Sequence, residues 1–233
     1  MTTKVRFLLA GMLIGFFQST VVAQNSFVCS GMGDYSLDVE SRVKAVRYGH
    51  ISTGHKVLLQ WASDDVCESG DHCFLPPRTS ISPGQYGVEI ARKDTSVCIS
   101  VPGKKQLEIW SGWLPIERWQ PVSGKTDFPA ERWLGVWQNE GAKIRISADR
   151  SHQLVAAGKA IWSGTFGGPH FGAFEIDGPP KDDLLSNSND EGADGCELVM
   201  RRVGQFIFAA DNRKCGALNV TFEGLYRYRF KLQ

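Results

Sequence analysis

The chain lacks most of the features that assign a role at sight. Its longest early apolar run, Phe7 to Phe17, is shorter than the roughly 20 residues a membrane-spanning helix needs. Neither sign of charge is in excess, with 26 Lys and Arg against 25 Asp and Glu. That balance argues against a general nucleic-acid or anionic-membrane binder. Low-complexity repeats are absent. No Gly-x-Ser-x-Gly elbow occurs, and His152, His170 and the serines show no spacing that singles out a hydrolytic triad. Triads assemble through space, so this removes a hydrolase signature and not the chemistry itself.

What is present begins with an export pattern. Lys4 and Arg6 form a positive start, Phe7 to Phe17 an apolar stretch, and Val21-Val22-Ala23 a small-residue cleavage site, so residues 1–23 read as a signal peptide. No lipobox precedes Cys29. Removing Lys4 and Arg6 leaves 24 basic against 25 acidic residues, a net charge of −1. All six cysteines lie beyond the signal, and an even count in an exported chain points to disulfides. The expected pairs are Cys196 with Cys215, and Cys29, Cys67, Cys73 and Cys98 among themselves.

Periodicity predicts strands throughout. Tyr35–Glu40 and Val43–Tyr48 alternate weakly, and Val57–Trp61 is a short buried run. After the Ser82-Pro83-Gly84 turn come Gly87–Ala91, Val97–Val101 and Gln106–Trp110, followed by Ser111-Gly112-Trp113-Leu114, where Gly112 lets a strand bend. Residues 123–131 have linker composition. Beyond them, strands are expected at Trp133–Gln138, Ala142–Ile146, Gln153–Ala157, Ala160–Phe166 and Phe171–Ile176, then three more between Cys196 and Phe230. That makes about eight strands with no helical pattern. Closing such a meander removes its edges, so an up-and-down barrel is the predicted form. The polar run Asp182–Asp194 reads as one long loop.

Two resemblances sharpen this division. Residues 74–122, with the Gly112-Trp113-Leu114 step, resemble a bacterial SH3-like barrel. The Gly135-Val136-Trp137 start resembles the first strand of lipocalin-like (calycin) barrels, which implies an arginine from the last strand, Arg227 or Arg229, packed across Trp137. The tail from Asp211 to Arg227 is similar to one found in uncharacterised bacterial exported proteins, some of which carry the same Gly-Trp barrel. The expected organisation is a signal peptide at 1–23, an SH3-like β domain with an N-terminal extension at 24–122, a linker at 123–131 and a lipocalin-like barrel at 132–233.

Several stretches carry reactive side chains. Asp64, Asp65, Cys67, Glu68, Asp71, His72 and Cys73 crowd metal-capable groups into ten residues, but no second cysteine pair stands at zinc spacing, and the stretch reads as a disulfide loop. Asn187–Gly192 mimics a calcium loop and lacks the acidic twelfth residue, since Leu198 stands there. Gly164–His170 has no phosphate-loop lysine, so Gly167-Gly168 reads as a hairpin turn. His170 and Glu175 would make an acid–base pair if both faced one pocket.

The sequence therefore predicts an all-β exported protein that needs no cofactor and no metal. It is expected to hold a cell-envelope partner, either a protein or a wall-derived saccharide or peptide, without catalysing a reaction. The candidate binding residues are Trp110, Trp113, His170, Glu175, Asp211 and Asn212. Carriage of a small apolar ligand inside the second barrel is the first rival. Envelope hydrolysis by His170, Glu175 and Asp211 is the second.

Overall fold

A computed structural model describes residues 38–59, 79–122, 129–151, 153–164, 168–181, 183–187 and 195–229. The signal peptide, Cys29, the Cys67–Cys73 loop, residues 123–128 of the linker and most of the acidic run after Asn187 lie outside these. The described part is mostly antiparallel sheet, as the all-β reading expects.

Where the sequence predicts two weak strands near residue 40, the chain forms a helix, α1, at Val39–Ala45. Asp38 caps it by accepting from the Ser41 amide at 2.7 Å. Val39 and Val43, four apart, form its buried face, while Glu40 and Lys44 pair across the exposed one. The helical spacing of the two valines outweighs the alternation seen in the sequence.

Seven strands follow before residue 123: β1 (Arg47–Ile51), β2 (Val57–Leu58), β3 (Ser80–Ile81), β4 (Tyr86–Lys93), β5 (Ser96–Pro102), β6 (Ile109–Pro115) and β7 (Trp119–Pro121). Five form one sheet in the order β6-β5-β4-β1-β7, and β2 pairs with β3. The expected strand at Gln106–Trp110 is displaced forward, because residues 103–108 close a turn in which the Gly103 amide donates to the Glu108 carbonyl at 2.7 Å. Gly112 therefore sits buried inside β6. One face of this sheet buries Ile51, Val97, Ile99, Val101, Leu114 and Trp119 with Leu59 and Ile81.

The second half supplies β8 (Gly135–Gln138), β9 (Ala142–Ala148), β10 (Leu154–Ser163), β11 (Pro169–Gly178), β12 (Leu184–Ser186), β13 (Leu198–Val203), β14 (Phe206–Asp211) and β15 (Gly224–Tyr228). They form one antiparallel sheet in the order β11-β10-β9-β8-β15-β14-β13-β12, a nearly closed up-and-down barrel. The first and last strands meet, with Arg227 opposite Gln138 and Tyr228 opposite Trp137. The remaining seam, between β11 and β12, is spanned at one end by a bridge from Gly172 to Gly216.

Eight strands are found, as predicted, but not the same eight. The two strands expected at Gln153–Ala157 and Ala160–Phe166 are one ten-residue strand, because Gly158 gives its missing side-chain volume to the Phe174 ring and does not turn the chain. The missing eighth is β12, inside the run read as a loop. Within the barrel, alternate positions point inward: Ala142, Ile144 and Ile146 of β9 are buried while Lys143 and Arg145 are exposed. The interior is filled by Trp133, Trp137, Met200, Phe174, Phe222 and Tyr226, and the last two aromatic rings of that set have no solvent exposure.

The barrel's outer face is not all solvated. Val199, Val203, Phe206, Phe208 and Leu225 point outward and are buried against Val39 and Val43 of α1 and Val88 of β4. Arg201 donates to the Lys44 and Val46 carbonyls at 3.0 Å each, and Arg227 to those of Lys105 and Gln106 at 3.0 and 2.9 Å. The two halves thus share a core.

The calycin resemblance asks for Arg227 or Arg229 across Trp137. The guanidinium there is that of Arg202, 4.4 Å from the ring centroid. Arg227 is engaged with the 105–106 carbonyls, and the Arg229 backbone amide donates to the Val136 carbonyl at 2.7 Å. Gly135 does keep a structural role: its φ is +127°, and a Cβ there would meet the Tyr228 ring.

Candidate functional site

Six residues were expected at a binding or reactive site, and the fold separates most of them. Trp110 and Trp113 are three apart on β6, an odd spacing that sends them to opposite faces of the sheet. Trp110 packs on the core containing Leu114, whereas Trp113 stands opposite Cys98 and keeps its indole nitrogen buried. They do not make one aromatic platform.

His170 and Glu175 lie five positions apart on β11, again on opposite faces, and roughly 17 Å apart along an extended strand. His170 Nδ1 donates to the Leu218 carbonyl at 2.6 Å, and its ring lies 5.1 Å from that of Trp162. No acid–base pair forms from these two.

Asp211 and Asn212 do come together, in a cleft of about 250 Å³ with Asp38, Val39, Arg42, Glu197 and Arg213. The cleft forms where β14 ends against the first turn of α1. Its polar groups are largely occupied within the fold. The Asp211 carboxylate, 1% exposed, accepts from the Arg213 amide at 2.9 Å, the Thr221 hydroxyl at 3.0 Å and the Phe222 amide. Asn212 donates to the Gly195 carbonyl at 2.9 Å and accepts from the Lys214 amide at 3.0 Å. Behind the cleft, Arg42 donates to Glu223 at 3.0 Å and to the Asp211 carbonyl at 2.7 Å. Burial raises the Glu223 carboxyl above its usual range in spite of that partner. Asp38 is held low by the amide and hydroxyl of Ser41. Such a network fixes the end of β14 to α1 and to the loop at 221–223.

The disulfide lies beside this network. Cys196 and Cys215 are bonded, as expected, with Cα atoms 4.5 Å apart. Cys98 is also disulfide-bonded, with its partner outside the described residues. Among the described residues no group of three or more His, Cys, Asp or Glu is arranged to hold a metal ion.

A second surface was not anticipated. On the five-stranded sheet, His50 of β1 stands directly opposite Tyr86 of β4 on one side and Gln120 of β7 on the other. The three side chains therefore line up on one face. Tyr86 is 43% exposed, Gln120 is exposed and His50 is half-buried. The Tyr48 ring, on the same face, stacks on Tyr86 at 5.4 Å with planes 10° apart, and packs against Phe206 of the barrel at 6.2 Å. His50 lies 5.4 Å from Tyr86. No bond to another described residue engages the Tyr86 hydroxyl, the His50 ring or the Gln120 amide, and His50 Nδ1 is buried without a partner.

Sequence reasoning passed over this row because its members stand at positions 50, 86 and 120 and meet only through strand register. The available signal was Tyr48-Gly49-His50, where two ring-bearing residues flank a glycine and so share one face of a strand. No helix among the described residues is long and apolar enough to cross a membrane. No protein-family model, curated protein or solved structure matches the chain.

Proposed function

We propose that this chain is exported to the periplasm and there binds a cell-envelope partner without transforming it. The signal-like residues 1–23 and the Cys196–Cys215 bridge support export into an oxidising compartment. A small β unit beside a lipocalin-like barrel, the pairing that the sequence resembles, supports a role carried by surfaces.

The observation that carries the reading is the contrast between the two candidate surfaces. Groups with acid–base chemistry are separated, as His170 and Glu175 are, or consumed by structure, as Asp211 is. Groups suited to recognition stand together on hydrogen-bonded strands at Tyr86, His50 and Gln120, their side chains bonded to no other described residue. Recognition needs placed but uncommitted donors and acceptors, and this row supplies them. The rival reading, carriage of an apolar ligand, needs room inside the barrel, where Trp137, Phe174, Phe222 and Tyr226 now pack.

The test is equilibrium binding of the protein to purified envelope extract and to solubilised wall fragments, followed by analysis of the bound material. Saturable retention with the partner recovered chemically unchanged is the expected result. A cleaved or modified partner, or no retention at all, would overturn the proposal.

A further inference from the structure

We infer that the row Tyr86–His50–Gln120, backed by Tyr48, is a binding site for a neutral saccharide. The inference deepens the non-catalytic reading above and rests on it. Three antiparallel strands set the geometry, since His50 pairs with both Tyr86 and Gln120. With strands spaced about 4.8 Å apart, the row spans roughly 10 Å across three hydrogen-bonded strands.

The aromatic member is fixed before any ligand arrives. Tyr86 is stacked by Tyr48, and Tyr48 is wedged in turn against Phe206 and the β13–β14 turn, where a Cβ on Gly204 would overlap its ring. Little side-chain freedom remains to be lost on binding. The apolar C–H face of a pyranose packs on such a ring. Its hydroxyls meet the Tyr86 hydroxyl, the exposed Gln120 amide and the His50 ring, none of which is engaged by another described residue.

Two features choose the ligand class. The row Tyr86–His50–Gln120 and its backing Tyr48 include no carboxylate, lysine or arginine, so a strongly charged ligand would find none of these counter-ions there. The row also lies on a face and not at an edge: β1 is hydrogen-bonded to β4 on one side and β7 on the other, so its backbone cannot accept an added peptide strand. Side-chain contact from above is what the surface offers.

The experiment titrates the full chain with neutral trisaccharides of N-acetylglucosamine and of glucose, read by calorimetry and by NMR of the assigned protein. Binding of at least one sugar is expected, with shifts centred on Tyr86, His50 and Gln120. Tyr86→Ala should weaken it about tenfold, the value of one aromatic stacking contact, and Gln120→Ala by less. Both variants should melt with the parent, and Arg213→Ala, in the cleft by α1, should bind as the parent does. Absence of binding by both sugars, or undiminished binding by Tyr86→Ala, overturns the saccharide site. Retention of envelope material by Tyr86→Ala would then leave the broader binding reading standing, whereas loss of retention by the parent as well removes both.

Discussion

The barrel interior and one row of the five-stranded sheet treat their polar side chains differently, although elsewhere in that sheet buried Glu89 pairs with Arg92 and Ser100 with Ser111. In the barrel, three buried polar side chains are bound to backbone or to one another: the Tyr226 hydroxyl donates to the Phe222 carbonyl at 2.8 Å, Arg202 donates to the Phe206 carbonyl at 3.0 Å while lying over Trp137, and Asp211 accepts three bonds. Burial, reinforced by Arg132, brings Arg202 down to about 10, and Tyr226 is driven well above the ordinary tyrosine range by its complete burial. In the sheet, the side chains of the row at Tyr86, His50 and Gln120 make no such bonds to other described residues. One region spends its polar chemistry on holding shape, and the other keeps some in reserve. A polar residue buried in a network is therefore a poor guide to function in this protein, even where it lines a cleft.

The largest expected effects come from the barrel interior. Trp137→Ala removes a fully enclosed ring that donates from Nε1 to the Trp133 carbonyl at 2.8 Å and carries Arg202 on its face. A loss of about 3–5 kcal/mol is expected in denaturant unfolding. Tyr86→Ala in the same assay should stay within about 1 kcal/mol, because an exposed ring loses little burial. Equal losses for the two would erase the contrast between the regions.

Replacing Cys196 and Cys215 together by serine comes next, at about 2–5 kcal/mol. The bridge holds the stretch that reaches across the barrel's seam, where the Ala217 amide donates to the Phe171 carbonyl at 3.1 Å beside the Gly172–Gly216 pairing. Hydrogen exchange should show β11 opening before β9 in this variant. Protection that is unchanged along β11 would detach the disulfide from barrel closure. Smaller again is Asp211→Ala, which strands the buried Phe222 amide and should cost about 1–3 kcal/mol by thermal unfolding. Should Asp211→Ala instead abolish partner binding at unchanged stability, the cleft and not the sheet face would be the site.

Much of this fold was legible because alternation survives in sequence. Ala142 to Ile146 and the closing strands announce their inward faces directly. The errors share one physical origin, namely that local pattern competes with packing. Gly158 looks like punctuation until Phe174 is known to lie against it, and Leu184-Leu185 looks like part of a polar loop until Met200 and Arg201 pair with it. Asp38 and Ser41 carried the helix-start signal, three apart, and the weak alternation around them concealed it. The candidate site was less legible than the fold. Its three residues are separated by 36 and 34 positions along the chain, so only register could bring them together.

The smallest effect concerns how α1 is held to the barrel. Glu223 faces Arg42 with both side chains under 10% exposed, and its carboxyl is raised from 4.5 by burial, with Asp211 adding to the rise and Arg42 opposing it. Because the folded state holds this proton at pH values where the unfolded chain releases it, Glu223 stabilises most below pH 4.5. That share is lost as pH rises through the folded value. In Glu223→Gln the group cannot ionise, so the parent's melting temperature minus the variant's should be greater near pH 4.5 than at pH 7. Asp38, held low, destabilises both proteins alike on acidification and cancels from the difference. A difference that grows toward pH 7 would mean that attraction to Arg42 outweighs desolvation, and α1 would then be clamped by charge. The predicted sign means that the Val39 and Val43 contacts hold the helix, with the ion pair tolerated between them.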